Sequence, residues 1–447
     1  MSAAEDAPGS APGSGRLGGA GAEGDPALLV VVGRSAGGIG AHVADLVAGL
    51  AARGLAVRVL TAEATARRFD LGERVVLAWP SRGRRAPADL ARVRRELAAS
   101  GVAHAHGHQA GLLAVLLART LPRRRRPAVV VSWHNAVLAR APRRWLLALA
   151  EAAQARGADL VTGASEDLVA RAEALGARAR LAPVASPAAV RLAAGRRVAD
   201  AGGRAAARAQ AAPRLGLDAG PDAGPDAERP WLLAVGRIAP QKDLPTLVRA
   251  AAATPVLARG AWAGRRPLWL HVGGGDERDA AALRRLVDAT GAPVRLLGPL
   301  ADPAPLLALA DAFVLPSTWE ARSLAVQEAL AAGLPVVAAA VGGLPGLVRD
   351  AGVLVPPGRP DALAAAVRAL LEDDVRRARL GARAVEVFAT LPAPEQVLQR
   401  WLSTYEELAR APRGADRHRG GPARWYRGSP WSHGRRHGHQ HSSAGRR

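Results

Sequence analysis

From residue 27 to about residue 405 the chain alternates short apolar runs with longer stretches whose apolar residues recur every three or four positions. Residues 28–32 (Leu-Leu-Val-Val-Val) are too short for a buried helix and too uniformly apolar for a half-exposed strand, so they predict a strand covered on both faces. A Gly-rich turn (33–40), a helix-period segment (42–53) and a second strand (56–60) follow, which together make a βαβ unit. Strands are expected again at 75–78, 103–106, 128–132 and 160–163, with helices at 87–99, 111–119 and 143–156 between them. This alternation builds a parallel sheet.

Periodicity then fails over 188–229, where Ala, Gly and Arg lead into the near-repeat Asp-Ala-Gly-Pro-Asp, and this stretch reads as a linker. Beyond it the alternation restarts, with strands at 231–235, 268–273, 294–297, 312–315, 335–338 and 352–355, and helices at 360–372 and 395–408. The expected fold class is α/β: two Rossmann-like, doubly wound parallel-sheet domains facing across a cleft. Their expected extents are 27–187 and 230–410, the second closed by the last helix. Open parallel sheets bind ligands at the carboxyl ends of their strands, so the chemistry belongs in that cleft.

Composition narrows the chemistry. The 447 residues include no cysteine, which removes disulfides, thiolate metal sites and cysteine nucleophiles and fits a reducing cytoplasm. Residues 1–26 lack the basic and apolar regions of a signal peptide and read as a disordered leader. No apolar run approaches the roughly 20 residues of a spanning helix. The net charge of +22 points on its face to nucleic acid or an anionic membrane. Lys242 is the only lysine, however, and the excess is Arg in a chain saturated with Ala, Gly and Arg, so codon bias accounts for much of it. Residues 411–447, with Arg435, Arg436, His437, His439 and His441 among Gly and Ser, read as a solvated tail. No specific nucleic-acid partner is expected. Peripheral contact with an anionic membrane surface through 119–126 and 140–144 stays open beside the reading of those clusters as solvated faces.

Four segments carry candidate chemistry. The Gly33–Gly40 cluster ends a strand and opens a helix, where bare backbone amides meet an anion; it does not spell the dinucleotide fingerprint, and simple chain reversal is the competing reading. In Gly236-Arg237-Ile238-Ala239-Pro240-Gln241-Lys242 the fork of Arg237 and the point charge of Lys242 leave one strand together and suit one diphosphate. Glu320 and Glu328 flank a loop-to-helix transition whose first amides lie near Ser323 and Leu324. A carboxylate there accepts from sugar hydroxyls or merely complements the helix dipole. His134 follows an apolar strand, as do His104, His106 and His108; without a carboxylate or Cys set beside them these histidines read as a polar cleft lining, and no metal is assigned.

Taken together these segments resemble the GT-B retaining glycosyltransferases, the glycosyltransferase family 4-like or group 1 family. The resemblance covers about residues 27–187 and 230–405. It rests on Gly-Gly-Ile-Gly-x-His-Val (37–43), His-Ala-His-Gly (104–107), Trp-His-Asn (133–135), Gly-Arg…Gln-Lys (236–242), Val-Gly-Gly-Gly (272–275), Leu-Pro-Ser (315–317), the Glu-x7-Glu pair and Gly-Leu-Pro-Val-Val-Ala…Val-Gly-Gly-Leu-Pro (333–345), in family order. It implies a sugar passed from a nucleotide-diphosphate donor (a UDP- or GDP-sugar as co-substrate, with no other cofactor and no metal) to a hydroxyl acceptor. By the same resemblance Arg237 and Lys242 hold the diphosphate, with Ser323 and Leu324 beside it. Glu328 holds the ribose, Glu320 and His134 line the reacting sugar, and Gly38 and Gly40 approach a substrate through backbone. The sequence departs from the family at Arg322, in Glu-Ala-Arg-Ser-Leu for the commoner Glu-Gly-Phe-Gly-Leu, and at Asp243, where Gly is usual. It also lacks the Gly-Val-Asp common before the linker, reading Leu-Ala-Pro-Val-Ala-Ser-Pro over 181–187. An epimerase of the same fold and a non-catalytic basic binding protein are the alternatives.

Overall fold

The computed structural model describes residues 28–35, 37–81, 83–136, 143–182, 184–195, 201–217 and 226–411. The expected leader and the tail beyond 411 lie outside them. The first sheet has seven parallel strands: β1 (Leu28–Val32), β2 (Val57–Thr61), β3 (Val75–Ala78), β4 (Val102–His106), β5 (Ala128–Trp133), β6 (Leu160–Gly163) and β7 (Ala179–Leu181), in the order β3-β2-β1-β4-β5-β6-β7. The second has six: β8 (Trp231–Val235), β9 (Leu268–Val272), β10 (Val294–Leu296), β11 (Ala312–Leu315), β12 (Val336–Ala339) and β13 (Gly352–Val355), ordered β10-β9-β8-β11-β12-β13 and again parallel.

In each sheet the strand order reverses beside its first strand, between β1 and β4 and between β8 and β11. Loops leaving strands at such a point diverge to opposite faces and open a crevice. The Gly-rich turn leaves β1 and the Arg237–Lys242 loop leaves β8, so topology alone brings the two strongest sequence signals to crevice mouths. The all-apolar runs read from sequence are buried as expected; β1 is at most 1% exposed along its length. Trp231, Trp269 and Phe313 fill the second domain and Trp133 the first, each buried where helices cover the sheet.

The domain boundaries differ from the sequence reading in two places. Residues 188–229 are not a bare linker. Helix Pro187–Gly195 packs on helix Leu324–Ala331, helix Ala201–Ala211 places Arg208 2.7 Å from Asp311, and Ala212 and Leu217 join the second core. The Ala- and Arg-rich composition hid an ordinary amphipathic pattern there. The last helix, Pro394–Arg410, closes the first domain and not the second: Val397, Leu398, Trp401, Tyr405 and Leu408 pack with Leu28, Val30, Val43 and Leu46. Its period announced a helix, but a period does not say which sheet receives the apolar face. No helix among the described residues is long and apolar enough to cross a membrane.

Candidate active site

The loop after β8 is held in place by backbone approach. Gly273 adopts φ 146°, and a Cβ there would stand 1.9 Å from the Gly236 carbonyl oxygen; at Gly275 a Cβ would stand 2.3 Å from the Ile238 carbonyl oxygen. Only glycine admits that spacing. The amides of Gly236 and Ile238 donate to the carbonyls of Val272 (2.9 Å) and Gly274 (2.8 Å), and His271 Nε2 donates to Gly236 O at 3.0 Å. Burial lowers the His271 imidazole to about 4, so it stays neutral beneath the loop. Asp243 ends the loop at φ 46°, a left-handed position that explains why Gly is usual there. Asp tolerates it better than most residues, and its carboxylate accepts from Thr246 Oγ1 at 2.7 Å.

Lys242 thereby reaches Glu320: Nζ lies 2.6 Å from Oε1, and Ser317 Oγ donates to the same oxygen at 2.8 Å. The Lys242 aliphatic stem lies against Gly236, where a Cβ would be 3.2 Å from Cε. The two loops are clamped further by Thr318 N donating to Gln241 O (2.9 Å) and Gln241 Nε2 donating to Trp319 O (2.7 Å). Arg237 is exposed and extends to the first domain, its Nε 3.2 Å from where a Gly37 Cβ would sit. Leu324 Cδ1 lies 3.6 Å from the corresponding point at Gly38.

Gly38 opens helix Gly38–Ala51, and Leu324 opens helix Leu324–Ala331, capped by Ser323 Oγ accepting from Val326 N at 3.4 Å. The two helices therefore begin against one another, beside Arg237. A helix cannot satisfy its first amides internally, and its N-terminus carries about half a positive charge. Two helix starts and one guanidinium beside each other make an anion-seeking place, while Lys242 on the same loop is paired with Glu320. Glu328, one turn into the second helix, accepts from Ser186 Oγ at 2.8 Å; burial holds its carboxyl above the usual glutamate range.

Gly40 departs from its expected role. Its amide donates to Ser35 Oγ at 2.9 Å and a Cβ would strike the Phe69 ring at 2.2 Å, so this glycine makes room inside the domain and does not approach a substrate. Gly37, not singled out as a site residue, takes the cleft position beside Arg237.

The first domain contributes a wall of histidines. Parallel register sets Val32 beside His106 and His106 beside Ser132, at the carboxyl ends of β1, β4 and β5. His134 Nε2 and His106 Nδ1 share a hydrogen bond of 3.0 Å with their rings stacked, and His42 stands edge-on 5.6 Å from His134. Deeper in, His104 bonds Tyr405 Oη and Ser132 Oγ, both at 2.7 Å, and Ser132 passes the chain to Thr162. Burial lowers His42 to about 4 and His134 to about 3, and holds His104 and His106 well below the usual histidine range. The wall is neutral at physiological pH. No group of three His, Asp or Glu among the described residues is placed to hold a metal ion. Alternate spacing along β4 foretold His104 and His106 together, whereas His42, on a helix far earlier in the chain, gave no such signal.

A third set of contacts joins the domains. Trp319 and Ala321 sit in the core of the first domain, Trp319 Nε1 donates to Asp167 Oδ2 at 3.0 Å, and Gln327 Nε2 donates to Val184 O at 3.0 Å. These partners lie more than 140 residues apart, which local pattern does not reveal.

Residues 37–187 match the glycosyl transferase 4-like domain, and residues 229–373 match the glycosyl transferases group 1. The first match takes in six of the seven strands of the first sheet, all but β1, and the second takes in all six of the second sheet; Gly37 and Arg237 belong one to each. The chain belongs to the group 1 glycosyltransferases. Among curated relatives, the D-inositol 3-phosphate glycosyltransferase of Kineococcus radiotolerans is 36% identical over 238 residues, 49% of this chain and 51% of that protein. The alpha-D-kanosaminyltransferase of Streptomyces kanamyceticus is 33% identical over 202 residues, 43% and 46% of the two chains. The match thus spans about half the length of these relatives. Among solved structures, Anabaena Alr3699/HepE in complex with UDP-glucose superposes at a TM-score of 0.68 with 18% identity, covering 85% of this chain and 99% of that one. Sucrose-phosphate synthase from Thermosynechococcus elongatus gives 0.66 with 24% identity, covering 85% and 98%. The group 1 chain has the GT-B fold.

Proposed function

We propose that this GT-B chain transfers a sugar, with retention of anomeric configuration and without a metal, from a nucleotide-diphosphate sugar to a hydroxyl acceptor. The observation that carries the reading is the meeting of Arg237 with the Gly37–Gly38 turn. It puts two helix N-termini and a guanidinium around one gap, with the Lys242–Glu320 pair on the loop that carries Arg237. A pyrophosphate in that gap is neutralised by fixed groups, which is the stabilisation a departing nucleoside diphosphate requires. Glu328 takes the ribose hydroxyls, Glu320 and His134 face the sugar, and Ser323 and Leu324 present the helix start to the phosphates.

In the reaction the bond from the anomeric carbon to the phosphate oxygen breaks. The acceptor oxygen then bonds that carbon from the same face, and the acceptor's proton passes to the departing phosphate. No separate base is needed, and the histidine wall, being neutral, adds no positive charge of its own beside the sugar. A UDP-bound relative of the same fold supports the uridine donor; the guanosine donor expected alongside it is decided by the same assay. The exposed Trp145, Leu146 and Leu149 beside Arg144 support peripheral contact with an anionic membrane, which vesicle co-sedimentation measures.

The test is turnover of UDP- and GDP-sugars with and without acceptor, in EDTA, with the product anomer read by proton NMR. Retained configuration and undiminished rate in EDTA are expected. An inverted product, or conversion of the donor without acceptor into another nucleotide sugar, overturns the proposal in favour of a different chemistry.

A further inference from the structure

The group 1 motif is broken in this chain at Arg322, and the break creates a charge with nothing to hold. Among the described residues Arg322 is half-buried and has no hydrogen-bond or ion-pair partner: its Nε is buried without one, while the two ends of the fork keep access to solvent. A guanidinium has five donors and keeps its proton at any physiological pH, so it cannot escape burial by neutralising. Burial lowers it only to about 10, Arg349 adds repulsion, and Glu166 attracts it without closing to an ion pair. A half-buried guanidinium with an unpartnered Nε has given up water without gaining a protein acceptor, and it keeps donors open to a ligand.

Its position gives the cost a purpose. Arg322 lies between Glu320 and Ser323, on the loop whose Trp319 and Ala321 insert into the first domain. Directly across that contact stands Ser165, at the carboxyl end of β6. Its Oγ is also buried without a partner, although it precedes helix Glu166–Ala174 where a serine ordinarily caps. Gly343 packs between Ser165 and the backbone of Ala321, the residue before Arg322: a Cβ there would lie 2.0 Å from Ala321 O and 3.0 Å from Ser165 Cβ. Two unsatisfied polar groups, one from each domain, thus flank one interdomain contact.

We propose that Arg322 and Ser165 form a subsite for an oxyanion, a carboxylate or phosphate, borne by one of the two substrates outside the donor pyrophosphate. The subsite makes the enzyme selective for an acidic sugar or an acidic acceptor. It rests on the reading above for the identity of the substrates, but its own consequences are separable. A fork of donors matches a planar carboxylate or two phosphate oxygens, and the hydroxyl of Ser165 adds a third donor.

Two measurements on the full-length chain test this. The first is the melting temperature of Arg322→Met without ligand. Removing a half-buried charge whose Nε has no partner should raise it by about 2 °C or more, whereas loss of a structural contact would lower it and overturn the proposal. The second is titration calorimetry with matched pairs: UDP-glucuronate against UDP-glucose and GDP-mannuronate against GDP-mannose for the donor, inositol phosphate against inositol with UDP or GDP present for the acceptor. The parent chain should favour the charged member of one pair at least tenfold, Arg322→Met should lose that preference, and both should bind UDP or GDP within twofold of each other. Preference in a donor pair identifies an acidic sugar, and preference in the acceptor pair an acidic acceptor. No preference in any pair, or a preference that survives in Arg322→Met, overturns the subsite. A fall in UDP or GDP affinity would instead assign Arg322 to the pyrophosphate. If neither diphosphate binds the parent, it is the glycosyl-transfer reading that fails, while the melting comparison still decides whether Arg322 is held unpaired.

Discussion

Lowering the pH from 7 to 5 should destabilise this protein through its histidines. Burial takes His42 to about 4, His134 to about 3 and His271 to about 4, from an ordinary value of 6.5. Because the folded values are lowered, these groups contribute stability that is present above pH 6.5 and is lost as pH falls toward the folded values; below 6.5 the unfolded chain binds protons the folded chain refuses. At pH 5 an imidazole that titrates at 6.5 unfolded and near 4 or below folded has lost about 2 kcal/mol. Three such groups lose about 6 kcal/mol, and His104 and His106 shift in the same direction. That is comparable to the whole stability of an ordinary domain, about 5–15 kcal/mol. Urea denaturation at pH 7, 6 and 5 measures the loss, and His42→Gln should remove about 2 kcal/mol of the difference between pH 7 and pH 5. A loss smaller than about 2 kcal/mol in the parent, or a pH dependence in His42→Gln equal to the parent's, would refute the neutral histidine wall.

Three further outcomes follow from the site. Glu328 has its carboxyl raised by burial, so its ionised form opposes folding above that raised value; Glu328→Gln should stabilise the ligand-free protein at pH 7 in thermal melts, lose the advantage below pH 4, and bind the nucleoside diphosphate more weakly. Gly273→Ala sets a Cβ 1.9 Å from the Gly236 carbonyl, so the Arg237 loop must move, and nucleotide affinity should fall at least tenfold in calorimetry while circular dichroism stays native. Tyr405→Phe leaves His104 Nδ1 without its 2.7 Å partner and should cost about 1–3 kcal/mol in denaturant unfolding. A cost below about 0.5 kcal/mol would mean that His104 finds another partner.

The strands were legible because parallel strands covered on both faces write uninterrupted apolar runs, as at Leu28–Val32 and Ala312–Leu315. Edge strand β7, three residues with Arg180 at its middle and no face fully buried, gave no such run. The loops of the site were legible as loops because they follow those strands. What they touch was not: Arg237 beside Gly37, Trp319 on Asp167 and Ser186 on Glu328 are set by the docking of two domains, and no local spacing encodes it. Gly40 shows the limit within one motif, since a glycine needed for Phe69 and a glycine needed for a ligand are written alike. Arg322 shows the converse, a departure visible in sequence whose meaning depends on the absence of any partner around it.

In the proposed function Arg237 and Lys242 hold one pyrophosphate at the facing helix starts. Calorimetric titration of UDP and GDP into the full chain, into Arg237→Ala and into Lys242→Gln, which keeps a donor for Glu320, tests it most directly. Each substitution should weaken the preferred diphosphate about tenfold to a hundredfold, the worth of one charge-assisted hydrogen bond of about 1.5–3 kcal/mol. Affinity for both diphosphates unchanged in both variants would contradict the account.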